Sequence, residues 1–192
     1  MMNDDQFLSI PYIQEYLAAF DLTEAVGLQA PQRLLARKDC VDLKKTRAVL
    51  LDYFERHNPL ELQGQIMAIY FALVPLLFDK TQIPFNLTIG WIVRGGKVIC
   101  HHDEQTIRRF LKEKLAAWQE NPITFHFWLT SPAAEILDVT FAMNLGRAKN
   151  RAECDKLIVY QSVHFPSSDP VYHPTLVGPD FFRQTGAGIF GD

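Results

Sequence analysis

The chain of 192 residues is short of cysteine, has no surplus of positive charge and lacks a long uninterrupted apolar run. Its three cysteines, Cys40, Cys100 and Cys154, are widely spaced and include no Cys-x-x-Cys, which argues against a disulfide framework or a zinc finger. Lys and Arg number 19 against 22 Asp and Glu, a net charge of −3, so no nucleic-acid partner is expected. Residues 1–20 hold Asp4, Asp5 and Glu15 but no Lys or Arg, and the basic start of a secretory signal is therefore missing. The longest apolar run, Ile66 to Phe78, contains Pro75 and falls short of the roughly 20 residues that cross a bilayer. No membrane partner is expected, and the run reads as a buried core helix. A reducing cytoplasm is the expected location, where the Asn86-Leu87-Thr88 sequon has no role. Nucleotide-binding glycine patterns are absent, since Gly186 and Gly188 lie too near the end for a following helix. No cofactor is expected.

What is present is ordinary globular composition, 48% apolar and 21% charged, without repeats or low-complexity stretches that would divide the chain. A single domain is expected, with N-terminal helices over 1–60, a core over 61–140 and a C-terminal extension over 141–192. Ser9 and Pro11 can open a helix carrying Ile13, Tyr16, Leu17 and Phe20 on one stripe. Asp42 can cap another with Leu43, Thr46, Leu50, Tyr53 and Phe54 on one face, ended by Asn58-Pro59. The run from about Leu60 to Phe78 is apolar nearly all round, so neighbours are expected to enclose it. The period then changes. Leu87–Val93 and Lys97–Cys100 read as strands joined at Gly95-Gly96. Asp103 can cap an amphipathic helix with Ile107, Phe110, Leu111, Leu115 and Trp118 inside, and Arg108, Arg109, Lys112 and Lys114 on a solvated face. Ile123–Thr130 and Glu135–Thr140 form a second candidate hairpin, Leu157–Gln161 a short strand, and the rest a wandering tail with a strand near Thr175–Val177. Helices first and antiparallel strands later is an α+β pattern, a helical N-terminal half packed on a mostly antiparallel sheet.

The second hairpin carries the chemistry. In a strand, His126 and Trp128 point opposite to Phe125, Phe127 and Leu129. With Ser131-Pro132-Ala133 as the turn, Thr130 pairs with Ala134 and His126 lies across from Asp138. A carboxylate that accepts the Nδ1 proton fixes the imidazole tautomer and leaves Nε2 as a base. Cys40, immediately before a helix, is a candidate nucleophile whose thiolate the helix N-terminus would favour. Cys100 and His102 share a strand face but offer two metal ligands rather than a closed set, so no metal site is expected.

His126-x-Trp128 followed by a strand ending Asp138-x-Thr140 resembles the histidine and aspartate strands of transglutaminase-like proteins, relatives of the papain-like thiol enzymes. The segment Ile83-Pro84-Phe85-Asn86-Leu87-Thr88-Ile89-Gly90-Trp91 is similar to the family's Gly-Ile-Pro-x-Arg-x-x-x-Gly-Tyr stretch, and Gln65 to Phe78 occupies the place of its buried helix. The resemblance covers about residues 61–140 and implies a papain-like core. The family's nucleophilic cysteine would stand at the start of that helix, where Glu61-Leu62-Gln63-Gly64-Gln65-Ile66-Met67 has no Cys, Ser or Thr; Gln82 and Asn86 replace its glycine and arginine. Three readings stay open. The chain is a degenerate, non-catalytic core that binds a peptide or small molecule around His126, Trp128 and Asp138, with Gln65 and Trp91 nearby; or it is a cysteine-dependent hydrolase or acyltransferase using Cys40, His126 and Asp138; or it is an interaction or structural protein with no ligand there. Fourteen phenylalanines leave apolar area for a partner, a second copy of the chain included.

Overall fold

The structure, a computed structural model, describes residues 4–36, 40–57, 66–114, 125–139, 158–163 and 169–186. In chain order the described elements are α1 (Asp4–Leu8), α2 (Pro11–Ala25), α3 (Leu43–Arg56), α4 (Ile66–Thr81), β1 (Asn86–Arg94), β2 (Lys97–Ile99), α5 (Glu104–Glu113), β3 (His126–Thr130), β4 (Ile136–Asp138), β5 (Val159–Gln161), β6 (Val171–Val177) and α6 (Asp180–Thr185). Helices precede a set of antiparallel strands, and the fold class is α+β. The chain divides into two compact units that interleave along the sequence. One takes Met1–Leu34, Thr88–Phe127 and Ser167–Asp192, and the other takes Leu35–Leu87 and Trp128–Pro166. Because each unit is assembled from separated stretches, no linker-like composition marks the division.

In the first unit, β1 pairs antiparallel with both β2 and β6. Gly95 and Gly96 turn the β1–β2 hairpin with φ of 55° and 72°, the left-handed conformation that glycine adopts without strain. Pro174 faces Gly90 where the β1–β6 register shifts, a place that tolerates a residue lacking an N–H. Helix α2 packs on β6 through Tyr16, Ala19, Phe20 and Val177. Thr23 locks the contact: its hydroxyl donates to the Ala19 carbonyl (2.7 Å) and accepts from the Val177 N–H (2.9 Å). Ser9 does not cap α2; its hydroxyl donates to the Gln6 carbonyl, and Ile10 holds the capping position without a side-chain bond. The strand expected near Thr175–Val177 is β6, which begins earlier at Val171, and the tail then forms the helix α6. Phe181 and Phe182 of α6 lie edge-on to Phe125 and Phe127. Gly178 (φ 96°) makes this turn, and a Cβ there would meet Pro31 at 2.9 Å.

In the second unit, Asp42 caps α3 by accepting from the Lys45 N–H (3.0 Å), and Thr46, Leu50 and Phe54 form the buried stripe. The end expected at Asn58-Pro59 lies outside the described residues, as do Leu115 and Trp118 of the stripe expected after Asp103; the described helix α5 ends at Glu113. Strands β3, β4 and β5 pair antiparallel through Leu129–Leu137, Thr130–Ile136, Leu137–Tyr160 and Asp138–Val159. Helix α4 departs from expectation. Ile69, Tyr70, Leu73 and Leu77 are buried, but Ala68, Phe71, Ala72, Pro75 and Phe78 are exposed. An apolar stripe of a helix expected to be enclosed on several sides therefore faces outward.

Candidate functional site

The β3–β4 register is displaced by two residues from the one read in the sequence. Leu129 faces Leu137 and Thr130 faces Ile136, which aligns Asp138 with Trp128 instead of with His126. The cause is the loop. Ser131 Oγ accepts from the Ala133 and Glu135 N–H groups, the Ser131 N–H donates to the Glu135 carbonyl, and Ala134 adopts φ 59°. Five residues, Ser131 to Glu135, are therefore consumed where three were expected. His126 and Asp138 are buried and Trp128 has no exposed surface, so the indole is a core side chain and lines no open cleft. The His126 ring lies 6.1 Å from that of Tyr172.

Cys40 meets a carboxylate. Its thiol donates to Glu135 Oε2 at 3.2 Å, and its N–H donates to the same oxygen at 3.0 Å. The Val41 N–H reaches both Glu135 oxygens at 3.2 Å, Ser131 Oγ donates at 2.6 Å and Tyr160 Oη at 2.6 Å. Burial pushes the Cys40 thiol up from its ordinary value, and the adjacent Glu135 adds to this against a lowering bond from Ser131. A nucleophile needs the opposite. Burial also works to raise Glu135, but the donors from Ser131, Tyr160 and Cys40 outweigh it and hold the carboxyl below its usual range. The helix N-terminus expected to activate Cys40 is already served by Asp42, and the N–H groups before it by Glu135. The arrangement is a clasp on the approach to α3. Ser131, Glu135 and Tyr160 had no motif to mark them, because the clasp depends on the loop geometry.

Trp91 is half-buried and stacks on His173, its cross-strand partner, with ring centres 3.9 Å apart, while His101 meets it edge-on at 5.0 Å. His173 Nδ1–H donates to Glu15 at 2.9 Å. The Trp91 indole is thus occupied by rings of its own chain. His102 is buried; its Nδ1–H donates to the Cys100 carbonyl, Nε2 has no partner, and desolvation pushes its pKa down. Cys100 and His102 lie beyond the end of β2 and do not share a strand face. Among the described residues no three His, Cys, Asp or Glu are placed to hold a metal ion, and no helix is long and apolar enough to cross a membrane. Gln65 lies outside the described residues.

An open cavity of about 780 Å³ lies between α3 and α4, lined by Lys45, Ala48, Val49, Asp52, Tyr53, Arg56 and His57 of α3 and by Ala72, Leu76 and Lys80 of α4. Ala48, Val49, Ala72 and Leu76 make an apolar floor, and the charged side chains stand at its rim. Arg56 pairs with Asp52, and Lys80 with Asp79 at 2.9 Å; Lys45 has no ion-pair partner among the described residues. The α3 positions recur at helical spacing, three or four residues apart, on the flank beside the buried Thr46, Leu50 and Phe54; Tyr53, read in the sequence with that buried face, lines the cavity instead. No protein-family model, curated protein or solved structure matches the chain.

Proposed function

We propose that this chain is a non-catalytic binding protein that engages a protein segment along α3 and α4. The observation that carries the reading is the outward apolar stripe of α4, in which Phe71 is 38% and Phe78 48% exposed, continuous through Ala72 with the cavity floor. Contiguous exposed apolar surface rimmed by polar groups marks interaction sites. A silent thiol position is supported twice: Glu61–Met67 holds no nucleophile, and the Cys40 thiol is bound to Glu135. The burial of Trp128 moves the ligand seat away from the His126/Trp128/Asp138 hairpin. Kinship with transglutaminase-like proteins belongs to this proposal and rests on the three sequence segments alone. So does a reducing cytoplasmic location, which Cys40 and Cys100, in no disulfide, suit. The partner is neither nucleic acid nor a membrane in this reading.

The test is a pair of substitutions, Phe71→Ser and Phe78→Ser. If the stripe exists for binding, each changes the unfolding free energy read from thermal melts by no more than the small range usual for surface changes, about 0.5 kcal/mol. A loss of about 3 kcal/mol, the size of an emptied core site, would mean that the face is covered in the folded chain and would remove the reading.

A further inference from the structure

We infer that the occupant of the α3–α4 groove is an amphipathic helical segment of a partner protein that carries acidic side chains beside its apolar face; the inference rests on the binding reading above and adds the partner's chemistry. Three permanent cations, Lys45, Arg56 and Lys80, line the groove; Arg56 is paired with Asp52 and Lys80 with Asp79, so among the described residues Lys45 carries its uncompensated positive charge, in a chain whose net charge is −3. The groove therefore opposes the sign of the whole molecule and selects carboxylates locally. Lys45 has no ion partner among the described residues, so a partner's carboxylate displaces nothing there. The floor offers small residues, Ala48 and Ala72, where another chain can approach closely, and Val49 and Leu76 as apolar walls. Shape separates an elongate segment from a compact small molecule. The exposed stripe runs from Ala68 to Phe78, about 15 Å along a helix rising ~1.5 Å per residue. That length suits apolar anchors repeated every three or four residues, the spacing of a helix laid in a groove.

The full chain is panned against a phage-displayed library of randomised peptides, and the enriched peptides are measured by fluorescence anisotropy against the parent, Lys45→Glu and Ala72→Arg proteins. Both positions are exposed, and circular dichroism and melting verify that each variant is folded. The expected result is enrichment of peptides with apolar residues at helical spacing flanked by Asp or Glu. Lys45→Glu should weaken them about tenfold, a loss that shrinks in high salt, and Ala72→Arg should abolish binding. Peptides lost on Ala72→Arg but lacking acidic residues, or indifferent to Lys45→Glu, overturn the acidic partner and leave the docking reading standing. Peptides indifferent to Ala72→Arg, or no enrichment at all, overturn both. If the unliganded chain is a dimer that Ala72→Arg converts to monomer, the occupant is a second copy and the inference fails.

Discussion

A carboxylate without exposed surface persists in a fold only when donors replace its water. Glu135 meets that condition with the Cys40 N–H and thiol, the Val41 N–H, Ser131 Oγ and Tyr160 Oη. Glu135→Ala would leave those groups unpaired, and a loss of about 2–4 kcal/mol is expected in urea or thermal unfolding. The carboxyl is held below its ordinary value in the fold, so the unfolded chain takes up its proton first. The stabilisation is full above the ordinary glutamate pKa of about 4.3 and is lost as pH falls through the lowered folded value. Glu135→Gln should therefore flatten the acid limb of the stability profile; an unchanged limb would mean that this carboxyl is not held low. The thiol gives a separate check. Cys40, pushed up by burial and by Glu135, should react with iodoacetamide along a pH profile whose midpoint lies above the ~8.5 of a free cysteine. A midpoint below that value, shifted by His126→Ala, would restore the thiol-enzyme reading. His102 is also depressed by desolvation. Its contribution is present above the ordinary histidine value of about 6.5 and is lost as pH falls through its lower folded pKa, so His102→Phe should remove a pH dependence of stability on the acid side of neutrality.

Among the elements, those with local signals were legible. Asp42 and Asp103 cap α3 and α5 as their positions imply, and Gly95-Gly96 turns β1 into β2. Capping and tight turns depend on a few adjacent residues, so the sequence holds most of the information. The second hairpin failed for the opposite reason. Its turn is set by Ser131 Oγ and by the capture of Glu135 by Cys40, Val41 and Tyr160, contacts between stretches far apart in the chain. A two-residue displacement preserves which side chains share a face, so the alternation along β3 read correctly while the opposition of His126 and Asp138 did not. Burial on both faces of β3 likewise follows from what surrounds the strand. Trp128→Ala should cost about 3–5 kcal/mol in a thermal melt, as for other emptied aromatic core sites; a cost near zero would place the indole in an open cleft after all. The α4 face erred in the same way: hydrophobicity all round implies enclosure, yet Phe71 and Phe78 face outward. Such a departure from the expected pattern is where function is commonly found.

For the molecule as a whole, the acidic net charge and the basic groove describe different length scales. Net charge governs solubility and long-range encounter, whereas the rim of Lys45, Arg56 and Lys80 acts within roughly 10 Å at 0.1 M salt. Helices α3 and α4, which together line the groove, belong to one compact unit. Hydrogen–deuterium exchange of the full chain, with and without a saturating acidic amphipathic peptide selected on the parent protein, tests the docking surface most directly. Protection confined to Leu43–His57 and Ile66–Thr81, and absent in Ala72→Arg, is the predicted result; protection centred on the β3–β4 hairpin with α3 and α4 unchanged would contradict it.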